Sequence, residues 1–359
     1  MGVQAHKVAV LGSTGIVGQQ FVRMLDSHPY FELEALCGSQ KSRGVTYEES
    51  VKWAVEENLP DKSKDIVISE VKAADFIKKG ISIVFSAVPA AIAMNFEHEL
   101  SQKGLWVFSN SSAYRMEPDV PIIIPEVNPD HIKLVERQIF ENKGLIITNA
   151  NCTTTGLSLA LKPLQKFGLQ SVNVTTYQAL SGAGRNGLPS LDIMGNIIPF
   201  IKEEEEKVER ETQKILGTMK NGQIENPETE IFATCSRVPV RNGHLLSIVA
   251  TLKKDVDLEE IAKTFQNFKG IPQAMKLPTA PEIPIIIRNE SDRPQPLMDV
   301  MAGSPDRARG MAVSLGRMRK KGNKIRFFAL VHNTIRGAAG TCILNAELAC
   351  TMRSHLNEA

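Results

Sequence analysis

Cys152 stands in the run Asn151-Cys152-Thr153-Thr154-Thr155-Gly156, after the apolar stretch Leu145–Thr148 and at the head of a stretch with helical spacing. A thiol in that position is placed for nucleophilic attack. A helix N-terminus favours thiolate over thiol and turns backbone N–H groups toward a developing oxyanion. Taken alone, a cysteine is more often a small buried hydrophobe. A nucleophile needs company, and one later segment supplies it. Arg237 lies in Cys235-Ser236-Arg237-Val238-Pro239-Val240, and His244 follows Asn242-Gly243. Asn-Gly between the strand-like runs Ile231–Val240 and His244–Leu252 reads as a hairpin turn. A two-residue turn pairs Arg241 with His244, and Arg237 shares the parity of Arg241. Arg237 and His244 then project from one face, their Cα atoms roughly 13 Å apart along the strands. Such a pair brackets a small molecule, with a guanidinium for a carboxylate and an imidazole for a proton. Each residue alone is more often at the surface.

A second set of residues suits a dinucleotide. Gly12-Ser13-Thr14-Gly15-Ile16-Val17-Gly18 lies between a short apolar strand and a helical stretch. Backbone N–H groups at that point would meet a pyrophosphate. The spacing is G-x-x-G-x-x-G, one step from the commoner fingerprint, and the plain alternative is a tight turn. The next strand ends in Gly38-Ser39-Gln40-Lys41-Ser42-Arg43. Hydroxyls and cations without a carboxylate suit a ribose 2′-phosphate, hence NADP rather than NAD. Glu34 is the competing acid, and it reads as the outward side of a strand alternating with Leu33 and Ala35.

These groups need elements to hold them. Early in the chain, strands and helices alternate: Lys7–Leu11, a helix over Gln19–Asp26, then Glu32–Cys37, Ile81–Val88, Trp106–Ser109 and Leu145–Thr148. Alternation of this kind predicts a mostly parallel sheet with right-handed crossovers. Beyond residue 151 the pattern changes to a helix over Thr153–Phe167, an extended Ser171–Leu180, a charged helix over Lys202–Leu216, the hairpin, and an apolar helix over Thr334–Arg353. The chain has 359 residues, enough for two domains. Its 42 Lys plus Arg stand against 40 Asp plus Glu, a net charge of +2, so no general basic field is available for nucleic acid. No apolar run is long enough to span a bilayer. The start of the chain lacks a signal-peptide pattern, and His6 stands where a myristoylation motif built on Gly2 wants Ser or Thr. Five widely spaced cysteines suggest neither disulfides nor zinc, so no metal is expected and a cytoplasmic setting fits.

The runs GSTGIVG, SNSSAYR, NANCTTTG, TYQALSGAG, CSRVPVRNGH and NTIRGAAGT together resemble aspartate-semialdehyde dehydrogenase, and most closely its archaeal and fungal branch. The resemblance covers nearly the whole chain. It implies an α/β fold: a Rossmann-type NADP-binding domain over residues 1–151, an α+β catalytic and dimerisation domain over 152–332, and a C-terminal helix over 333–359 returning to the first domain. It implies Cys152 as nucleophile, His244 as the acid–base residue that takes the thiol proton, and Gln178 as the residue that orients the covalent intermediate. Arg237 would bind the substrate carboxylate and Glu204 the substrate amino group, although a run of four glutamates more often forms a solvated helix face. Lys207, Arg115 and Asn110 would bind phosphate. Gly12, Thr14, Gly15, Ile16, Val17, Ser39, Ser42, Ser86, Gly182 and Asn333 would lie near NADP. The implied reaction reduces L-aspartyl-4-phosphate to L-aspartate-4-semialdehyde through a thioester, in lysine, threonine and methionine biosynthesis, by a homodimer or homotetramer. A malonyl-CoA or succinyl-CoA reductase of the same superfamily is the alternative. N-acetyl-glutamyl-phosphate reductase fits less well. A non-catalytic NADP-binding sensor is disfavoured because Cys152, Gln178, Arg237 and His244 are all present.

Overall fold

The computed structural model describes residues 5–138 and 143–357, so Gly2 lies outside the described residues. The chain builds two compact units. The first comprises residues 1–123, 131–149 and 339–359, and the second 124–130 and 150–338. The expected boundaries at 151 and 332 differ from these at three places: residues 124–130, 150–151 and 333–338 belong to the second unit.

In the first unit, β1 (His6–Leu11), β2 (Phe31–Cys37), β3 (Ile81–Ser86), β4 (Trp106–Ser109), β5 (Ile122–Ile123) and β6 (Leu145–Asn149) form one sheet in the order β2-β1-β3-β4-β6-β5. Every pairing in it is parallel. The near-continuous apolar runs explain why, since a parallel sheet covered on both faces needs no alternation. Helix α1 (Ile16–Leu25) follows β1, and α2 (Ala90–Gln102) joins β3 to β4. β2 lies on one side of β1 and β3 on the other, the chain crossing back past β1 on its way from β2 to β3. That is the switch point where such sheets open a crevice.

The glycine turn closes that point tightly. Gly12 has φ +73°, and a Cβ on it would sit 2.6 Å from the Ala87 carbonyl beyond β3. A Cβ on Gly18 would meet the Gly12 carbonyl at 2.2 Å, so α1 can lie on the turn only with glycine there. Ser13 donates to the Cys37 carbonyl, and Tyr47 Oη donates to the Ser13 carbonyl at 2.8 Å. The turn is therefore held against both neighbouring strands.

In the second unit, α3 (Cys152–Leu161) precedes β7 (Leu169–Gln178), and α4 (Glu204–Leu216) follows it. The small hairpin β8 (Thr218–Lys220) and β9 (Gln223–Glu225) leads to β10 (Glu230–Arg237) and β11 (His244–Leu252). After α5 (Leu258–Gln266) come β12 (Ile285–Arg288), β13 (Val313–Lys321) and β14 (Lys324–Val331). The mixed sheet has the order β10-β7-β11-β14-β13-β12. The helix expected over 153–167 is α-helical only to Leu161 and continues as a 3₁₀ segment over Lys162–Phe167, with Pro163 at its start. The last helix, α6 (Gly340–Asn357), follows a π-helical turn at Ile335–Ala339 and packs in the first unit against β4, β6 and α1.

One expectation is overturned. β10 and β11 do not form a hairpin, because β7 lies between them, parallel to β10 and antiparallel to β11. Residues 238–243 cross the end of β7. Six residues reach about 20 Å when extended, enough to pass one strand. The residues just beyond β7 fasten the crossing: the N–H groups of Leu180 and Ser181 donate to the carbonyls of Val240 and Arg241. Gly243 still supplies a left-handed residue, with φ +99°. A local turn signal is blind to a third strand arriving from elsewhere in the chain.

Residues 124–130 are tied into the second unit by a buried ion pair. Both Glu126 carboxylate oxygens accept from Arg336, and neither side chain is exposed. Removing one partner of such a pair leaves an uncompensated charge in the interior. Arg336→Met is expected to lower unfolding free energy by about 3–5 kcal/mol. Double replacement of Glu126 and Arg336 by apolar residues should recover much of that loss, as read by urea denaturation.

Candidate active site

The corrected topology brings the expected residues closer together. Arg237 stands in register with Gln178 on β10 and β7, and Leu245 stands opposite Tyr177 on β11 and β7, which sets His244 beside Gln178. Arg237, Gln178 and His244 thus form one row across three neighbouring strand ends. The buried face of β11 carries His244, Leu246, Ile248, Ala250 and Leu252 in strict alternation, so His244 belongs to the inward side. The shared face anticipated for Arg237 and His244 is present, with a strand between them rather than a turn joining them.

Helix α3 lies close across this sheet. A Cβ on Gly156 would meet Val331 Cγ1 at 2.7 Å, and Val331 is the register partner of His244. One helical turn before Gly156 is Cys152, whose Sγ lies 3.2 Å from His244 Nε2. A Cβ on Gly337 would fall 2.7 Å from Cys152 Cβ, so backbone packs directly against the stem of Cys152.

Asn151 caps α3, its Oδ1 accepting from the Thr153 and Thr154 N–H groups at 2.8 and 3.2 Å. Its own N–H donates to Glu211 at 2.7 Å, and its Nδ2 donates to Glu204 at 3.0 Å. Glu204 also accepts from Gln178 Nε2 at 3.0 Å and from Thr153 Oγ1 at 3.2 Å. The glutamate run is therefore sorted by position rather than uniformly solvated. Glu204 is buried, Glu205 accepts from the Cys235 N–H, Glu203 pairs with Lys207, and Glu206 is exposed. Glu211, which the sequence reasoning passed over, lies two turns further along the same helix face at i+7 from Glu204. That spacing was the available signal.

Arg237 Nη1 donates to the Ala179 carbonyl at 2.7 Å. Burial pushes the Arg237 guanidinium below its usual pKa, while the Cys152 sulfur and the Glu204 carboxylate act the other way. His244 is fully buried, and its pKa is lowered to about 3, first by burial and then by the Arg237 and His332 charges. Gly182 fits between the two: a Cβ there would lie 2.8 Å from Arg237 Nη1 and 3.2 Å from His244 Cε1. Asn333 accepts from the Gly243 N–H and donates to Ser181 Oγ, fastening the loop that carries Gly182. Lys207 is half-buried and bound to Glu203 at 3.1 Å.

The remaining expected residues lie in the first unit. Asn110 and Arg115 meet there, with Arg115 Nη2 donating to the Asn110 carbonyl at 2.8 Å and Asn149 Nδ2 donating to Asn110 Oδ1 at 3.0 Å. Gly12, Thr14, Gly15, Ile16 and Val17 form the turn and the start of α1, and Ser86 ends β3. Ser39 and Ser42 bound a 3₁₀ turn just past β2. Glu34 sits at the bulge where β1 and β2 lose register and pairs with Lys7 at 3.0 Å, away from the strand end. Arg43 is engaged by Glu70 at 2.7 Å. Among the described residues no cluster of three or more His, Cys, Asp or Glu side chains could hold a metal, and no helix is long and apolar enough to cross a membrane.

The chain is similar to known proteins over most of its length. Residues 7–135 match the model of the semialdehyde dehydrogenase NAD binding domain, and residues 161–336 match that of the semialdehyde dehydrogenase dimerisation domain. The sequence is 47% identical to an aspartate-semialdehyde dehydrogenase of Archaeoglobus fulgidus, over 96% of this chain and 97% of that one. It is 40% identical to a malonyl CoA reductase (NADP) of Metallosphaera sedula, over 96% of each. The crystal structure of aspartate semialdehyde dehydrogenase with NADP from Candida albicans superposes with a TM-score of 0.86 at 36% identity, covering 96% of this chain and 98% of that one. The fold and the paired domains define a semialdehyde dehydrogenase. The chain belongs to the aspartate-semialdehyde dehydrogenase family.

The packing against Cys152 generates a test. Gly337→Ala would press a methyl group onto Cys152 Cβ and Cα. Since a displacement on the order of 1 Å at a reacting atom can cost about 10²-fold in rate, turnover should fall by roughly that factor. Dinucleotide binding, measured by fluorescence titration, should stay within about twofold of the parent, because the Gly12–Gly18 turn is untouched.

Proposed function

We propose that this enzyme catalyses the NADP-dependent, reversible reductive dephosphorylation of L-aspartyl-4-phosphate to L-aspartate-4-semialdehyde through a thioester on Cys152. The observation that carries the proposal is the contact between Cys152 Sγ and His244 Nε2 at 3.2 Å, at a helix start and beside the Arg237 guanidinium. Covalent catalysis divides one difficult acyl transfer into two easier ones. Thiolate is the attacking species, and the helix N-terminus and Arg237 both favour it.

In this reading Arg237 binds the substrate carboxylate and Glu204 its amino group, while Gln178, held by Glu204, orients the acyl group on sulfur. The family resemblance assigns phosphate contacts to Asn110, Arg115 and Lys207. The Gly12–Gly18 turn suits a pyrophosphate, since glycine lets the backbone approach and α1 begins there. Ser39 and Ser42 offer hydroxyls at the end of β2, in a run from Gly38 to Arg43 that holds no acidic residue, which favours a 2′-phosphate and hence NADP. The relative from Candida albicans, crystallised with NADP, supports the same choice. When bound, the nicotinamide supplies or accepts hydride at the acyl carbon.

The second unit is proposed to associate with another copy of this chain. It matches a dimerisation-domain model and leaves Leu191, Met194, Phe200 and Phe232 largely exposed. Exposed apolar groups in such number mark interaction surfaces.

The malonyl CoA reductase relative keeps a second reading in play, with CoA in place of phosphate as the acyl acceptor. NADP reduction with aspartate semialdehyde is expected to require phosphate or arsenate; a requirement for CoA instead would transfer the assignment to the reductase. In the same assay Cys152→Ser should abolish nearly all turnover while still binding NADP, and robust turnover would sink the thioester. Ser42→Asp is expected to move preference toward NAD by about tenfold or more in kcat/KM, from repulsion of the 2′-phosphate. An unchanged ratio would mean that the 2′-phosphate is held elsewhere.

A further inference from the structure

Helix α2 packs against β4 and β6 and buries Ala93, Glu97, Leu100 and Ser101 on one stripe. Glu97 stands in the middle of that stripe and is wholly shielded from solvent. Packing alone asks for an apolar side chain there, because a buried carboxylate is costly unless other groups satisfy it. The end of the sheet supplies those groups. Ser86 closes β3 and Ser109 closes β4, and the two are register partners, so their hydroxyls share one face. Ser109 Oγ donates to Glu97 Oε1 at 2.7 Å and itself accepts from the Ser111 N–H at 3.1 Å.

The segment beyond β4 carries Asn110 and Arg115, and its fastenings converge on the same place. The Asn110 N–H donates to the Ser86 carbonyl at 2.9 Å. Arg115 Nη2 turns back to the Asn110 carbonyl at 2.8 Å. Tyr114 Oη donates to the Met94 carbonyl of α2 at 3.1 Å. The charged and titratable groups facing Glu97 are Arg115 and Tyr114 from this segment and Cys342 from α6. Arg115 is the cation among them, and it is buried. Burial pushes the Glu97 carboxyl above the usual carboxylate range, against the Ser86 and Ser109 hydroxyls and the Arg115 charge.

We infer that Glu97 is a positioning residue for anion binding: through Ser109 it fastens the segment of Asn110 and Arg115, and its charge competes for Arg115 with an arriving oxyanion. This rests on the reading in which that segment contacts phosphate. Two effects then act in opposite senses. The hydrogen bond through Ser109 orders the segment, which favours a productive anion geometry. The carboxylate repels an anion beside the shared guanidinium, which loosens binding and speeds release. A side chain of the same shape without the charge separates the two.

Glu97→Gln keeps an acceptor for Ser109 and removes the charge. With aspartate semialdehyde and NADP, the KM for phosphate is expected to fall about fivefold or more, and the KM for NADP to stay within about twofold of the parent. Glu97→Ala also removes the acceptor, so kcat should fall about tenfold there while Glu97→Gln stays within about threefold. If the alanine variant does not fold, the glutamine variant decides alone. Inhibition by sulfate, which keeps its charge where phosphate titrates, gives the pH profile. Glu97 is charged above its raised pKa and neutral below it, so repulsion is present at high pH and lost as pH falls. The ratio of the parent's sulfate inhibition constant to that of Glu97→Gln should be largest near about pH 8.5 and shrink toward about pH 5.5. A phosphate KM unchanged or raised in Glu97→Gln, or a sulfate ratio near one throughout, would overturn the inference. Arg115→Ala keeps the two readings apart. An unchanged phosphate KM in that variant removes the phosphate contact itself, whereas a raised one beside an unchanged Glu97→Gln removes only the role of Glu97.

Discussion

Asn151 is gripped at every polar atom it has. Glu211 takes its N–H, Glu204 takes its Nδ2, its Oδ1 caps α3, and its carbonyl accepts from the N–H and hydroxyl of Thr155. Two carboxylates from one helix therefore determine where another helix begins. Burying a carboxylate is costly unless it is hydrogen-bonded, and the donors that satisfy Glu204 are Asn151, Thr153 and Gln178. Solvation of the acid and placement of the chemical groups are thus one problem with one solution. Cys152 follows Asn151 directly, so its position is inherited from that grip.

The sheet contributes rigidity of another kind. Arg237, Gln178 and His244 come from three strands but from one row, and adjacent strands are spaced about 5 Å apart by their ladders. Backbone hydrogen bonds rather than loop conformations fix their separations. The loop beyond β7 then completes the row, because Ala179 receives Arg237 at its carbonyl and His244 at its amide. One peptide residue orients both side chains at once.

Much of the first unit was legible in the residues. Strand–helix alternation and glycine spacing are local signals, and a parallel βαβ arrangement is close to the only one they allow. Cys152 could be read from its place between an apolar strand and a helix start. The pairing of Arg237 with His244 was reached through the wrong structure, since parity along a hairpin and parity across an intervening strand give the same face. Strand order in a mixed sheet depends on contacts far apart in sequence, and the Asn242-Gly243 turn carries no information about β7. Glu204 could be chosen from four glutamates only by its resemblance to a family, while Glu211 stood unnoticed because a lone acid in an amphipathic helix looks like a surface residue.

The outer side of β10 has a consequence for behaviour at high concentration. Its Cys235 and Ala233 N–H groups are taken by Glu205 and Glu209 of α4, and Arg237 exchanges backbone bonds with Ile198. A border strand with bare amides is a template for runaway strand addition and fibril growth. Here the helix that holds Asn151, next to Cys152, also lines that border with negative charge. One helix thus divides its acids by face: Glu204 and Glu211 hold Asn151, while Glu205 and Glu209 occupy border amides that would otherwise be open to amyloid-like stacking.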